Sequence, residues 1–435
     1  MTTSTAQDGA DIEAMWSRIK TAGGRERFIA AELERRGLLV ERRLTERMSK
    51  RELGEYKRRL KAEAAAREEL LKQTWQAYKA HHIVHLGEQV FWNDDADWDR
   101  FDHPQAEERQ AENDLPRIDK PEGLAEALDV SMRELRWLTF HRDAARHIHY
   151  TRFTIPKSTG GEREIWAPTP QLKAIQRWIL REVVERLPVH GAAHGFVPGR
   201  SIATNAAQHT NSAAILKMDI KDFFPSVTLP RVKGVFRKAG YREQIATLLA
   251  LLCTEAPREV VDHAGETLYV SLGPRCLPQG APTSPAITNT LCLALDRRLT
   301  GLAQATGWRY TRYADDLTFS LPMGAEGEDQ LGRLIGSVKH ILADEGFVPH
   351  PDKTRVLRPG TRQHVTGLIV NGEGPPRVPR TTRRMVRAAI HNLKQGKPLR
   401  EDESLHTLLG YAAYIYMTDP ELGERLLNEL SGVVG

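Results

Sequence analysis

Tyr313-Ala314-Asp315-Asp316-Leu317-Thr318-Phe319-Ser320 is the stretch on which the fold turns. Trp308–Tyr310 before the acids and Leu317–Ser320 after them are rich in aromatic, apolar and β-branched residues, so two short strands are predicted with the acids at the bend between them. Such a bend presents both carboxylates at one tip. Much earlier, Leu216-Lys217-Met218-Asp219-Ile220 reads as another short apolar strand that ends in an acid, followed by Lys221-Asp222-Phe223-Phe224. If these strands lie side by side, three anions share one corner. Like charges that close repel strongly and need cations to hold them together. Hard oxygen ligands select Mg²⁺, with Mn²⁺ as an alternative, and two ions on shared aspartates are an apparatus for in-line phosphoryl transfer. Taken alone, an Asp-Asp pair is more simply an ordinary exposed turn; its surroundings decide.

Working outward, the chain alternates strand and helix signals. A strand is predicted over 214–220, helices over 228–239, 285–302 and 331–345, and a strand over 366–370. Apolar runs bounded by turn residues point to one mixed sheet with helices on one face, an α+β arrangement. Upstream, Tyr150 to Ile155 alternates, Gly160-Gly161 turns, and Glu164 to Trp166 returns. This is a hairpin with Lys157 and Arg163 flanking its tip, and a helix follows over about 169–187. Further back, the first ~85 residues read as helix, with Ser49 and Glu52 at capping-box spacing, and Ser131 and Glu134 repeating it. The Arg and Lys residues dominating 42–61 predict a solvated charged face, with an RNA- or partner-contacting face as the alternative. From Glu88 to Asp119 acids cluster around Trp92 and Trp98, which reads as a linker holding the first domain boundary. Near the C-terminus, Arg380, Arg383, Arg384 and Arg387 share one helical face with no Asp or Glu between Pro376 and Arg400, a pattern suited to polyphosphate.

Composition bounds the function classes. The 435 residues carry 62 Lys+Arg against 57 Asp+Glu, a formal charge of +5 that mildly favours a polyanionic partner. Hydrophobic residues at 40% suffice for more than one packed core and argue against wholesale disorder. No stretch approaches the roughly 18 apolar residues that span a bilayer. Met1 to Ala14 is polar and acidic, without the apolar run of a signal peptide. The three cysteines, Cys253, Cys276 and Cys292, form no C-x-x-C pair and read as core fillers. A soluble cytoplasmic protein is expected, and membrane, secreted and zinc-finger readings are set aside.

The ordered motifs resemble the reverse transcriptases. Tyr313-Ala314-Asp315-Asp316 after Arg312 resembles their active-site motif, and Leu277-Pro278-Gln279-Gly280-Ala281-Pro282-Thr283-Ser284-Pro285 their template- and nucleotide-contacting loop. The resemblance implies a right-hand polymerase: fingers over 121–214, palm over 215–368 with interleaved fingers elements, and thumb over 369–435, after a helical extension and acidic linker over 1–120. It implies that Asp219, Asp315 and Asp316 are catalytic metal ligands. Lys157, Arg163, Asp222, Phe223, Phe224 and Gln279 would meet the dNTP, Phe224 standing where the family excludes a ribose 2′-OH. Gln279, Gly280, Ala281, Pro282 and Tyr313 would contact template and primer, and Lys353 would protonate the leaving pyrophosphate. Glu164 stands where relatives often have a second basic residue in the fingers.

Two further elements are similar to those of retron enzymes: Asn205-Ala206-Ala207-Gln208-His209 and Val365-Thr366-Gly367. The resemblance to retron reverse transcriptases covers roughly residues 124–419. It implies dNTPs as substrates and a structured non-coding RNA of msr-msd type as template. It also implies priming from an RNA 2′-OH to give branched RNA–DNA (msDNA), a role in anti-phage defence, and an effector or toxin protein as partner. Asn205, His209, Val365, Thr366 and Gly367, with the four thumb arginines, would bind that RNA. The alternatives are a group II intron-like or other defence reverse transcriptase without such an RNA, and a non-catalytic RNA-binding scaffold.

Overall fold

The computed structural model describes residues 3–92, 102–156, 160–400 and 403–434. The chain forms two units: Met1–Asp102 with Arg117–Asp143 and Tyr241–Leu248, and His103–Pro116 with Ala144–Gly240 and Leu249–Gly435. Residues 121–143, expected with the fingers, thus cluster with the N-terminal helices.

In the first unit, helices Thr3–Thr21, Arg25–Arg35 and Lys50–His81 close around Ile19, Phe28, Ile29, Leu33, Leu70 and Ala77. The long helix starts where the capping box predicted. The Ser49 hydroxyl accepts the Glu52 N–H at 3.3 Å, and the Glu52 carboxylate accepts the Ser49 N–H at 2.8 Å. Ser131 and Glu134 do the same for Met132–Thr139. Two buried carboxylates gather the arginines. Glu32 takes Arg18, Arg35 and Arg36 at 2.8, 2.6 and 2.9 Å, and the Arg35 guanidinium foremost holds its carboxyl down at about 2. Glu63 takes Arg42 at 2.7 Å. A buried carboxylate is tolerated when paired in this way.

The second unit is built on a four-stranded antiparallel sheet in the order Arg309–Tyr313, Asp316–Pro322, Ser212–Asp219, Arg355–Leu357. Ser212–Asp219 lies inside it, and Ala214, Ile215, Leu216 and Met218 are buried, which explains why this strand reads as an apolar run. Helix Leu293–Ala305 packs on Arg309–Tyr313 and on helix Leu331–Asp344. The helix expected over 285–302 is two, Ser284–Leu291 and Leu293–Ala305, because the backbone opens at Cys292 (ψ 5). All three cysteines are free and buried, as core fillers should be.

The β-hairpin of strands Tyr150–Pro156 and Glu162–Pro168 is legible in the sequence; a second one, Arg258–His263 with Glu266–Ser271, is not. Its turn, Ala264-Gly265, holds both residues at positive φ (52 and 80). The strand expected over 366–370 is also a tight hairpin, His364–Val365 against Leu368–Ile369. Thr366 and Gly367 sit at φ 44 and 88, and two successive left-handed residues are what a two-residue hairpin turn requires. This hairpin and helix Ile202–Ala207 share one core with helices Arg380–Lys394, Leu405–Tyr416 and Pro420–Val434. Among the described residues no helix is long and apolar enough to cross a membrane.

Candidate active site

Strand pairing alone brings the three acids to one corner. Asp219 lies opposite Asp316 across the antiparallel pair, and Asp316 lies opposite Tyr313 across the hairpin, leaving Ala314-Asp315 as the two-residue turn. The Ile220 N–H donates to the Asp315 carbonyl at 3.0 Å, tying the turn to the end of the central strand. Ala314 adopts φ 55, and its neighbour across the contact is Gly195, where a Cβ would stand 2.7 Å from the Ala314 nitrogen. Only glycine lets the two backbones approach so closely.

Below the turn lies a fully buried polar cluster. The Arg312 guanidinium reaches Asp296 twice, through Nε at 2.8 Å and Nη2 at 2.7 Å. Its Nη1 donates to Asn289 Oδ1 at 3.0 Å and to the Ala314 carbonyl at 3.2 Å. Tyr310 donates its hydroxyl to Asp296 at 2.8 Å, and Asn289 donates to the Gly195 carbonyl at 2.8 Å. Every member thus has a partner, the condition under which a buried ion pair is tolerated. In the sequence Arg312 stands before the motif without a role of its own, and Asn289, Asp296 and Gly195 belong to no motif. The available signal is a carboxylate, Asp296, directly after the apolar run Leu291-Cys292-Leu293-Ala294-Leu295 and before Arg297.

The electrostatics at the corner are those of crowded anions. Burial first, and the Asp219 charge second, push the Asp315 carboxyl up to about 6. Asp316 is raised by burial, with Asp219 adding and Lys217 opposing. Asp219 itself, 8% exposed, is held by Lys353, whose Nζ donates to both carboxylate oxygens at 2.9 Å. Among the described residues no three acidic, histidine or cysteine side chains are preset around a common metal point. The donor set still fits a hard cation: three carboxylates, two of them raised by burial and by the Asp219 charge, are stabilised by positive charge.

The Gln-Gly loop abuts the Tyr150–Pro168 hairpin through main chain. The Trp166 N–H donates to the Gln279 carbonyl at 2.7 Å. Gly280 sits at φ 122, where a Cβ would stand 2.7 Å from the Trp166 carbonyl oxygen and 2.8 Å from Ile165 Cγ2. Gln279 and Pro282 are half-buried, Gly280 is exposed, and Ala281 is buried. Tyr313 is half-buried, its ring 6.5 Å from that of Phe196. Arg163 is exposed on the hairpin, opposite Ile155, and Glu164 pairs with Arg152. Lys157 lies outside the described residues. Asp222 is exposed at φ 47. Phe223 is buried against Phe347 (5.8 Å) and under the Arg312 guanidinium (5.9 Å), which leaves Phe224 as the half-exposed ring of the pair.

The expected RNA contacts divide. Arg380, Arg384 and Arg387 are exposed on one helix and Arg383 is half-buried there, while Val386, Ala389 and Ile390 face the core. Asn205 and His209, expected at an RNA surface, are instead completely buried. His209 bonds Ser320 and Thr311 hydroxyls, each at 2.7 Å, one per ring nitrogen, and burial drives its pKa down to about 3. Val365 is core as well. Thr366 donates its hydroxyl to the Ile202 carbonyl at 3.1 Å, and Tyr414 donates to the Gly367 carbonyl at 3.1 Å. These elements meet one another: the helix carrying Asn205 packs on the hairpin carrying Val365–Gly367. In this structure they clamp the C-terminal helices to the sheet, and Ala207, Gln208 and Gly367 are the exposed members of the two motifs.

Residues 155–386 match the family described as "Reverse transcriptase (RNA-dependent DNA polymerase)". Over 432 residues the chain is 51% identical to the retron Mx162 reverse transcriptase of Myxococcus xanthus, covering 96% of this chain and 89% of that one. It is 45% identical to the retron Mx65 enzyme of the same organism, over 72% and 71% of the two chains. Against the retron Ec86 reverse transcriptase of Escherichia coli the identity is 32%, over 73% of this chain and 90% of the relative.

Proposed function

This chain belongs to the retron reverse transcriptases and is an RNA-directed DNA polymerase, and on that premise we propose that it copies part of a structured non-coding RNA from a 2′-OH primer into branched RNA–DNA. The observation that carries the reading is the register placing Asp219 opposite Asp316, with Asp315 at the adjoining turn. The family generally uses divalent metal ions; here Asp219, Asp315 and Asp316 would hold them, and we assign two Mg²⁺. Bound there, the ions would neutralise the phosphate charge that builds up as a nucleotide is joined to the primer.

The chain's own residues supply the rest. In the right-hand reading, the sheet is the palm, the Tyr150–Pro168 hairpin the fingers and the C-terminal helices the thumb. Arg163, without a carboxylate partner among the described residues, offers its guanidinium at an exposed strand position, suited to a triphosphate. The main chain of Gln279 and Gly280, fixed by the hairpin, presents a surface with no bulky side chain to a template base pair. Phe224, partly open above a buried Phe223, is the ring that excludes a ribose 2′-OH. Lys353 has a proton-bearing amine beside Asp219, placed to serve the leaving pyrophosphate. Arg380, Arg384 and Arg387 grip phosphates of the RNA stem, as expected where A-form RNA is recognised through backbone and 2′-OH. Cytoplasmic action in anti-phage defence with a separate effector is assigned on the family resemblance.

The test is the nucleic acid that copurifies with the full chain from cells that also carry the adjoining non-coding RNA gene. A short single-stranded DNA is expected, retained on an RNA after denaturation and released by an enzyme that cleaves 2′–5′ branches. DNA with a free 5′ end would end the branched-priming reading.

A further inference from the structure

Several arginines of the first unit are drawn onto carboxylates: Arg18, Arg35 and Arg36 onto Glu32, Arg42 onto Glu63, Arg51 onto Glu55 and Arg43 onto Glu41, while Arg58 and Arg59 of the long helix are exposed. The lysines of the long Lys50–His81 helix are left outside. Lys50, Lys57, Lys61 and Lys72 are exposed, and among the described residues Lys50, Lys57 and Lys61 have no carboxylate partner. At 3.6 residues per turn these four and Lys79 fall within an arc of about 60°, and from Lys50 to Lys79 the row runs about 44 Å. The opposite side of the helix carries the buried Glu63, Leu70, Thr74 and Ala77. One acid interrupts the row: Glu68, which holds Lys72 at 2.9 Å. Near the end of the row stands Trp75, 39% exposed, with Lys79 over its ring at 5.8 Å.

We propose that this lysine row is a second nucleic-acid surface, which binds the phosphate backbone of double-stranded RNA. An uninterrupted 32-residue helix offers its charges in a row, which suits a stiff duplex better than a flexible strand. Ammonium groups contact phosphate without reading sequence, and A-form RNA is recognised mainly by shape and backbone. An acidic protein would need apolar surface to bury beside the charges, and Trp75 is the one large apolar side chain in the arc. The polymerase acts on RNA, so the ligand class is already at hand.

Full-length protein, titrated with a blunt 20-base-pair RNA duplex of arbitrary sequence at several salt concentrations, tests the proposal. The triple variant K57Q/K61Q/K72Q is expected to bind about tenfold more weakly at low salt. Its log-affinity slope against log salt should be shallower by nearly 3, about 0.9 per lost contact. Glu68→Gln, which removes the interrupting acid, should tighten binding severalfold. Primer extension on poly(rA)/oligo(dT) should be the same in all three proteins. Unchanged affinity and slope in the triple variant would overturn the proposal. So would an equal loss of binding to single-stranded DNA of the same length, which would make the cDNA the occupant. A parallel loss of primer extension would likewise overturn it, since the lysines would then serve the polymerase site rather than a separate surface.

Discussion

The Asp219–Asp316 corner and the Asn205–His209 and Val365–Gly367 elements were both read from short ordered motifs, yet they use their residues in opposite ways. At the corner, the strand register delivers side chains to an edge where anions crowd and a cation is wanted. In the other region the named side chains turn inward: Asn205, His209 and Val365 are buried, and Thr366 and Gly367 shape a turn that Ile202 and Tyr414 hold. A motif can therefore persist as chemistry offered outward or as backbone geometry fixed inward, and spacing alone does not separate the two.

The largest expected effect sits at the corner. Asp315→Asn should lower dNTP incorporation by about a thousandfold or more, as losing a metal-holding carboxylate does, while RNA binding stays within about twofold of the parent. Filter binding and single-nucleotide extension on the same preparation check both halves. Activity surviving in this variant would detach the acids from catalysis and erase the contrast between the two regions.

Next in size is the buried cluster under the turn, where the two modes meet. Arg312→Gln leaves the Asp296 carboxylate buried without its main partner, at a cost of about 3–5 kcal/mol, readable as a lowered urea midpoint. The double variant R312M/D296L removes both charges and should regain most of that stability. It should nonetheless extend primers poorly and need more Mg²⁺ for half-maximal rate, because the Ala314 carbonyl has lost its 3.2 Å tether. Full activity with an unshifted Mg²⁺ requirement in the double variant would show that Arg312 serves packing alone.

What the sequence made legible follows the same division. Alternation, turn residues and apolar runs were enough for three of the four sheet strands, because a strand inside a sheet is largely apolar, as Ala214, Ile215, Leu216 and Met218 are. The capping boxes at Ser49 and Ser131 were legible because the cap is a local affair of four residues. The long-range facts were not. That Gly195 must be glycine depends on a backbone brought against it from Ala314, and that His209 is buried depends on Thr311 and Ser320 arriving from two other strands. Thr366-Gly367 reads as a strand interior until the positive φ of both residues is known. An i, i+4 pair such as Asn205 and His209 looks the same on a wet face as on a dry one.

His209 allows a smaller and finer test of that dry face. Burial holds it neutral, with a pKa of about 3 in the folded chain against about 6.5 when unfolded. Because the folded value is the lower one, the unfolded chain takes up the proton first as the pH falls. The stabilisation is therefore complete above about 6.5 and is lost progressively towards pH 3. Between pH 7 and pH 5 this one group should cost about 2 kcal/mol of unfolding free energy. His209→Asn has nothing to titrate, so urea unfolding of the two proteins at both pH values should show the parent losing about 2 kcal/mol more than the variant. Identical losses would mean that His209 is open to water and free to protonate. The Asn205–His209 helix would then present its side chains to a ligand as the Asp315 turn does, and the two regions would no longer differ in kind.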